Sequence, residues 1–212
     1  MKNITLVALL CISFSALAQD PKVEFDGSKW KAPYTLSFPE GWGVERFPIP
    51  IEFAPKIPYK GVEDIRFAPG WGDAKSEEYW TYAFLWYLDE APAINAKIIE
   101  SNLNEYYTGL IGRNIERRKI PAQKLLPVKT SMKEVNTAPG DLKTFYGTIA
   151  MLDYMEQKPQ ILNCIVHLKS CAGQSKGFVF NQISPKAMTD KVWVSLDLLW
   201  KSFDCNPSSE KK

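Results

Sequence analysis

The clearest pattern in the chain lies between Leu142 and Ile183, where apolar and polar positions change places with a period of two. Phe145, Gly147, Ile149 and Met151 fall on one side of an extended run, and Tyr146, Thr148, Ala150 and Leu152 on the other. Glu156 to Gln160 supplies a turn, Ile161 to Ser170 a second run, Ala172 to Gly177 another turn, and Phe178 to Ile183 a third run. Successive strand side chains point to opposite faces, so three such runs on short connections predict an antiparallel meander over 142–183. The spacing then becomes helical. Val192, Trp193, Leu196, Leu199, Trp200 and Phe203 follow Thr189, a residue able to cap, and predict an amphipathic helix over 189–203 lying on the sheet. Burying its two Trp, one Phe and two Leu contributes on the order of 10 kcal/mol before entropy is subtracted.

Upstream, Tyr79 to Leu88 is apolar on both of its alternating faces, which predicts a central strand covered on each side. Asp89-Glu-Ala-Pro92 then opens a long helix over 93–111. Its stripe is Ala96, Ile99, Leu103, Tyr106, Tyr107 and Leu110, and Gly112 closes it. Tyr34 to Phe38 and Glu63 to Phe67 read as short strands ended by Pro and Gly. Prolines at 48, 50, 55 and 58 exclude helix and central strand there, leaving extended backbone at a sheet edge. The expected fold class is α+β: an antiparallel sheet with both helices packed on it. It forms a single domain over 19–212, with the Pro/Trp-rich segment 47–80 as a possible insertion.

The opening residues change where that domain is expected to work. Met1-Lys-Asn, an apolar run from Ile4 to Phe14 and Ser15-Ala-Leu-Ala18 make a secretory signal over 1–18, cleaved before Gln19. The apolar run is too short to span a bilayer. Cys11 follows the large Leu10, where lipid attachment wants a small residue, so a soluble exported form, periplasmic or secreted, is expected.

In an oxidising compartment the three remaining cysteines allow one internal bridge. Cys164 and Cys171 on one extended segment would stand about 23 Å apart, against the roughly 7 Å a disulfide tolerates. The expected pair is Cys171–Cys205, with Cys164–Cys205 as fallback. Charge is nearly balanced, 26 Lys+Arg against 24 Asp+Glu, which removes any electrostatic footprint for nucleic acid. No zinc-type cysteine spacing occurs and His167 is the only histidine, so no metal or cofactor is expected.

Tyr-x-x-x-Phe-Pro-x-Gly-Trp from Tyr34 to Trp42, a long helix, an antiparallel meander and a closing helix ending in Ser202-Phe203 together resemble PsbP-type domains. These include the extrinsic photosystem proteins and the DcrB-like envelope proteins. The resemblance implies an antiparallel sheet with helices on both faces and a non-enzymatic accessory or binding role.

Chemistry in the residues themselves is sparse. There is no Gly-x-Ser-x-Gly elbow, phosphate loop or dinucleotide fingerprint. His167 is expected on the surface or half-buried, on the strand face opposite Cys164, which rules out a Cys–His pair. The basic run Arg113 to Lys119 reads as a solvated helix end or strand edge rather than an anion site. Sixteen of the 26 aromatics after residue 18 lie between Phe25 and Tyr87, among Glu40, Glu45, Glu63, Asp64, Asp73, Glu77, Glu78, Asp89 and Glu90. Paired acids beside aromatic platforms are the equipment of glycoside hydrolysis. Trp42 and Trp71 sit in glycine-flanked turns, where a ring either folds back over the sheet edge or lines a groove; fold-back is the default.

The favoured expectation is a non-catalytic binding protein for a small molecule, glycan or envelope protein. Its site would be Trp42, Trp71 and Tyr79 with Glu63, Asp64 and Arg66. The alternatives are a glycan-directed hydrolase using two carboxylates of that region and a structural protein docking a partner strand on its Pro-rich edge.

Overall fold

The computed structural model describes residues 25–206; the expected signal over 1–18 lies outside them. Seven strands form one antiparallel sheet: β1 (Gly43–Ile49), β2 (Gly61–Phe67), β3 (Tyr82–Leu88), β4 (Lys129–Val135), β5 (Lys143–Asp153), β6 (Lys158–Lys169) and β7 (Gly177–Ser184). Their order across the sheet is β1-β2-β3-β7-β6-β5-β4. Helices α1 (Ala96–Ile115) and α2 (Val192–Lys201) cover opposite faces, each heading its own apolar cluster.

The period-two pattern is realised in the meander: β5, β6 and β7 pair in sequence, Phe145 opposite Val166 and Cys164 opposite Ile183. Leu162, Cys164, Val166 and Leu168 face α1, while Ile165 belongs to the α2 side. β3 lies inside the sheet as its two apolar faces require: Tyr82, Phe84, Trp86 and Leu88 meet the α1 cluster, and Ala83 and Leu85 meet the α2 cluster. On α2, Val192, Trp193, Leu196, Leu199 and Trp200 are buried, with Phe203 just beyond the helix. Cys171, after β6, is joined to Cys205, after α2, at a Cα separation of 5.6 Å, and Cys164 is buried and free. The expected bridge is therefore the one that forms.

Several boundaries differ from expectation for local reasons. Tyr34 to Phe38 is no strand; it makes one isolated bridge, Thr35 with Asp204, while Tyr34 and Leu36 anchor in the α2 cluster. Residues 93–95 do not join α1. Pro92 disfavours helical backbone before it, and Asn95 caps instead, accepting from the Ile98 N–H at 3.0 Å. Nor does Gly112 stop the helix, because Asn114 and Ile115 still find burial against the sheet. Gly109 is required by contact: a Cβ there would sit 1.8 Å from the Phe53 carbonyl oxygen. Thr189 does not cap α2: Lys191 holds the N-cap position without a side-chain bond, and Asp190, one residue before it, accepts from the Val192 N–H.

Segment 47–80 is woven into the sheet, contributing the end of β1 and all of β2. Pro48, with no N–H to donate, is tolerated because β1 is an edge strand. β4, the other edge, is mostly exposed, and only Met132 is buried, so its sequence carries little apolar alternation.

Candidate functional site

The two Pro/Gly-Trp-Gly turns are neighbours, since Gly43 pairs with Phe67 and a Cβ on Gly41 would touch Pro69. Their tryptophans part company. Trp42 turns to the α2 side and is buried with Tyr34 and Ala68, whereas Trp71 is half-buried on the α1 side. The expected grouping of Trp42, Trp71, Tyr79, Glu63, Asp64 and Arg66 into one site is thus corrected: strand alternation sends them to different places. Asp64 and Arg66 face away from Glu63 on β2, as period-two geometry demands.

Asp64 and Arg66 are 0% and 2% exposed and make a closed ionic knot. The Asp64 carboxylate accepts from both Arg66 terminal nitrogens, from Arg46 Nε at 3.0 Å and from the Tyr34 hydroxyl at 2.9 Å. Arg66 also donates to the carbonyls of Ser37 and Ile65. Every strong group is used, which is the condition for a buried charge to persist. Tyr79 donates to Asp153 at 2.8 Å and is likewise committed.

A cleft of about 450 Å³ opens between α1 and the β1–β3 end of the sheet, within the usual size of small-molecule sites. Ile65, Phe67 and Tyr82 form its floor, and Trp71 and Trp80 close one side. Tyr106 and Leu110 line the helix wall. Trp80 reaches this position through left-handed backbone (φ 57°), which is why β3 starts at Tyr82 and not at Tyr79. That conformation costs a bulky residue about 1–3 kcal/mol and is concentrated at functional sites. The indole nitrogens of Trp71 and Trp80 are buried within the wall and have no well-aligned acceptor, Trp80 lying against the Tyr79 hydroxyl.

The mouth is basic. Positions 106, 110, 113 and 114 follow one face of α1, so the helix presents Tyr and Leu to the cleft and then Arg113 and Asn114, with Arg117 in the turn just beyond it. Arg118 joins them from the turn after the helix. The Arg113 guanidinium lies 5.2 Å from the Phe53 ring centre, and that of Arg118 lies 5.1 Å from Tyr154. Arg117 donates to Asn114 Oδ1 at 2.5 Å. Burial raises the Tyr154 hydroxyl pKa, and Arg118, Arg117 and Arg113 partly oppose the rise, as close cations should.

One carboxylate, Glu45, lines the cleft. Glu63, on the same face of the sheet, is 0% exposed, and neither of its oxygens has a well-aligned hydrogen-bond partner. Burial pushes its carboxyl up to about 8; the adjacent Tyr106 and Trp86 pull the other way, and Glu45 adds to the rise.

Other carboxylates singled out in the sequence are engaged elsewhere: Glu77 with Lys186, Asp89 with Lys176, and Glu78 with the Gly70 N–H. His167 is buried, not surface-lying, because Trp200 of α2 stacks on it at 5.1 Å. Its Nδ1 bonds Asp141 Oδ2 at 2.7 Å, and its Nε2 has no partner among the described residues. This His–Asp pair therefore has no nucleophile attached.

A larger depression, about 620 Å³, lies at the other end of α1 against Tyr59, Lys60 and residues 88–93. None of the unpartnered buried polar atoms lines it, so the aromatic cleft is the better candidate. No group of three or more potential metal ligands occurs among the described residues, nor any helix long and apolar enough to cross a membrane. No protein-family model matches the chain, and no curated protein or solved structure matches it either.

The basic run Arg113 to Lys119, expected as a solvated helix end or strand edge, borders the cleft through Arg113, Arg117 and Arg118. The spacing 106, 110, 113, 117 was available as a signal, but only the folded sheet reveals that this stripe borders a cavity and not solvent alone.

Proposed function

We propose that the protein is an exported, non-catalytic binding module that takes up a small amphipathic molecule in the aromatic cleft between α1 and strands β1–β3. The observation that carries this reading is an aromatic-walled cavity of about 450 Å³ with a basic rim, open between α1 and the sheet. Export is supported by the signal-like opening of the chain and by a disulfide of the kind oxidising compartments allow. The accessory role implied by the PsbP-type resemblance agrees with it. A hydrolase would need two carboxylates facing one ligand; Glu45 lines the cleft, and Glu63 stands sealed behind its wall.

Titration with the neutral fluorophore N-phenyl-1-naphthylamine tests the proposal. Saturable binding at one site, quenching of tryptophan emission and a raised melting temperature are expected. Leu110→Trp, which places an indole in the cleft, should abolish all three. Binding that survives this substitution, or no binding at all, refutes the cleft as the ligand site.

A further inference from the structure

The charged groups at the mouth of the cleft are mostly cations. Arg113, Arg117 and Arg118 bring guanidiniums, and among the described residues none of the three has a carboxylate within 4 Å. The protein's other two described arginines differ completely, both being bound to Asp64. Helix C-termini attract basic residues in any protein, because the macrodipole places about half a negative charge there. Three full positive charges exceed that half charge and Glu45 together, so the mouth retains a net positive field. The dipole also offers no account of guanidiniums laid on the rings of Phe53 and Tyr154 beside a cavity. Stacking holds each planar fork in place, which lowers the entropy lost on gripping an anion.

We infer that the ligand class of this cleft is an anionic amphiphile, an aromatic or other apolar body ending in a carboxylate, sulfonate or phosphate. The body lies between the sheet and the Tyr106–Leu110 wall, and the anionic end meets Arg113, Arg117 and Arg118. The inference rests on the reading of the cleft as the ligand site and adds the chemistry of what enters it. Neither half of such a molecule suffices. An inorganic anion leaves the apolar floor wet, and a neutral hydrocarbon leaves the donors unmatched.

The experiment compares 1-anilinonaphthalene-8-sulfonate with N-phenyl-1-naphthylamine, which has the same ring framework without the sulfonate. The anion is expected to bind about tenfold tighter or more, at one site, the advantage shrinking with added salt. In the combined variant Arg113→Gln, Arg117→Gln, Arg118→Gln the ratio of the two affinities should fall about tenfold. All three side chains are exposed, so the fold should tolerate the change; an unaltered near-ultraviolet circular dichroism spectrum checks this. Leu110→Trp should eliminate both probes, excluding adherence elsewhere on the surface. Equal affinity for the two probes, or a ratio untouched by the arginine substitutions, overturns the anionic assignment and leaves the cleft standing. Failure of both probes to bind overturns the cleft itself, so the two ideas fail separately.

Discussion

The two faces of the sheet solve the same burial problem in opposite ways. On the α2 side, most polar groups are matched as they are covered, His167 Nε2 and Gln182 Oε1 being the exceptions. Asp64 holds two arginines and a tyrosine; Asp141 accepts from His167, Thr144 and Trp200; Trp193 donates to the Lys186 carbonyl. A disulfide then ties the end of β6 to the end of α2. On the α1 side, the indoles of Trp71, Trp80 and Trp86 and the carboxyl of Glu63 are buried without well-aligned partners, and a cavity remains. One face is nearly finished within the chain. The other keeps more unmatched groups, packed behind the wall of an open cavity, and the cost of leaving them so is borne by the stability the closed face contributes.

If this contrast is correct, the largest losses come from opening the closed face. Asp64→Ala strands two cations beneath the Tyr34–Ser37 segment and should cost about 3–5 kcal/mol in urea denaturation. A loss under about 1 kcal/mol would mean that the knot is already solvated. Removing the bridge with Cys171→Ala and Cys205→Ala should cost about 3–4 kcal/mol for a loop closed across 34 residues; reducing agent should reproduce the loss in the native chain and do nothing further to the variant.

The open face is sharpened by pH. A carboxyl whose pKa rises from 4.5 to about 8 on folding binds its proton more tightly in the native state. Its effect therefore runs against stability as pH increases: none below about 4.5, a progressive loss through the interval, and a plateau above about 8. Denaturation of the native chain minus that of Glu63→Gln should trace this curve, the native chain falling on the order of 3 kcal/mol relative to the variant between pH 5 and 9. A flat difference would place Glu63 in contact with water. The smallest effect belongs to Trp200→Phe, which deprives Asp141 Oδ1 of its indole donor; about 1–3 kcal/mol is expected. A silent result would show that the closed face is less strictly matched than its distances indicate.

Local pattern carried much of the architecture. The meander, both helices, the two-faced character of β3 and the Cys171–Cys205 bridge all follow from short-range periodicity or from the reach of an extended chain. β4 was missed because an exposed edge strand has few apolar residues to alternate. Tyr34 to Phe38 was over-read as a strand because its apolar residues are anchors for α2, and anchoring leaves the same alternation as pairing. The site fared worse than the fold. Trp42 and Trp71 occupy matching motifs in adjacent turns, and nothing in those motifs tells which face of the sheet each ring will choose.

The sequence by itself determined which residues alternate, which recur at helical spacing and which cysteines can meet, because these depend on neighbours within a few residues or on chain length alone. Tertiary structure decided which aromatics became core and which became cleft. It also turned a basic helix end into the rim of a cavity and left Glu63 uncharged at neutral pH while Asp64, the next residue, is held in an ionic knot. Those outcomes depend on what lies across the sheet. Burial and pairing there come from residues tens of positions away, so no local pattern could have contained them.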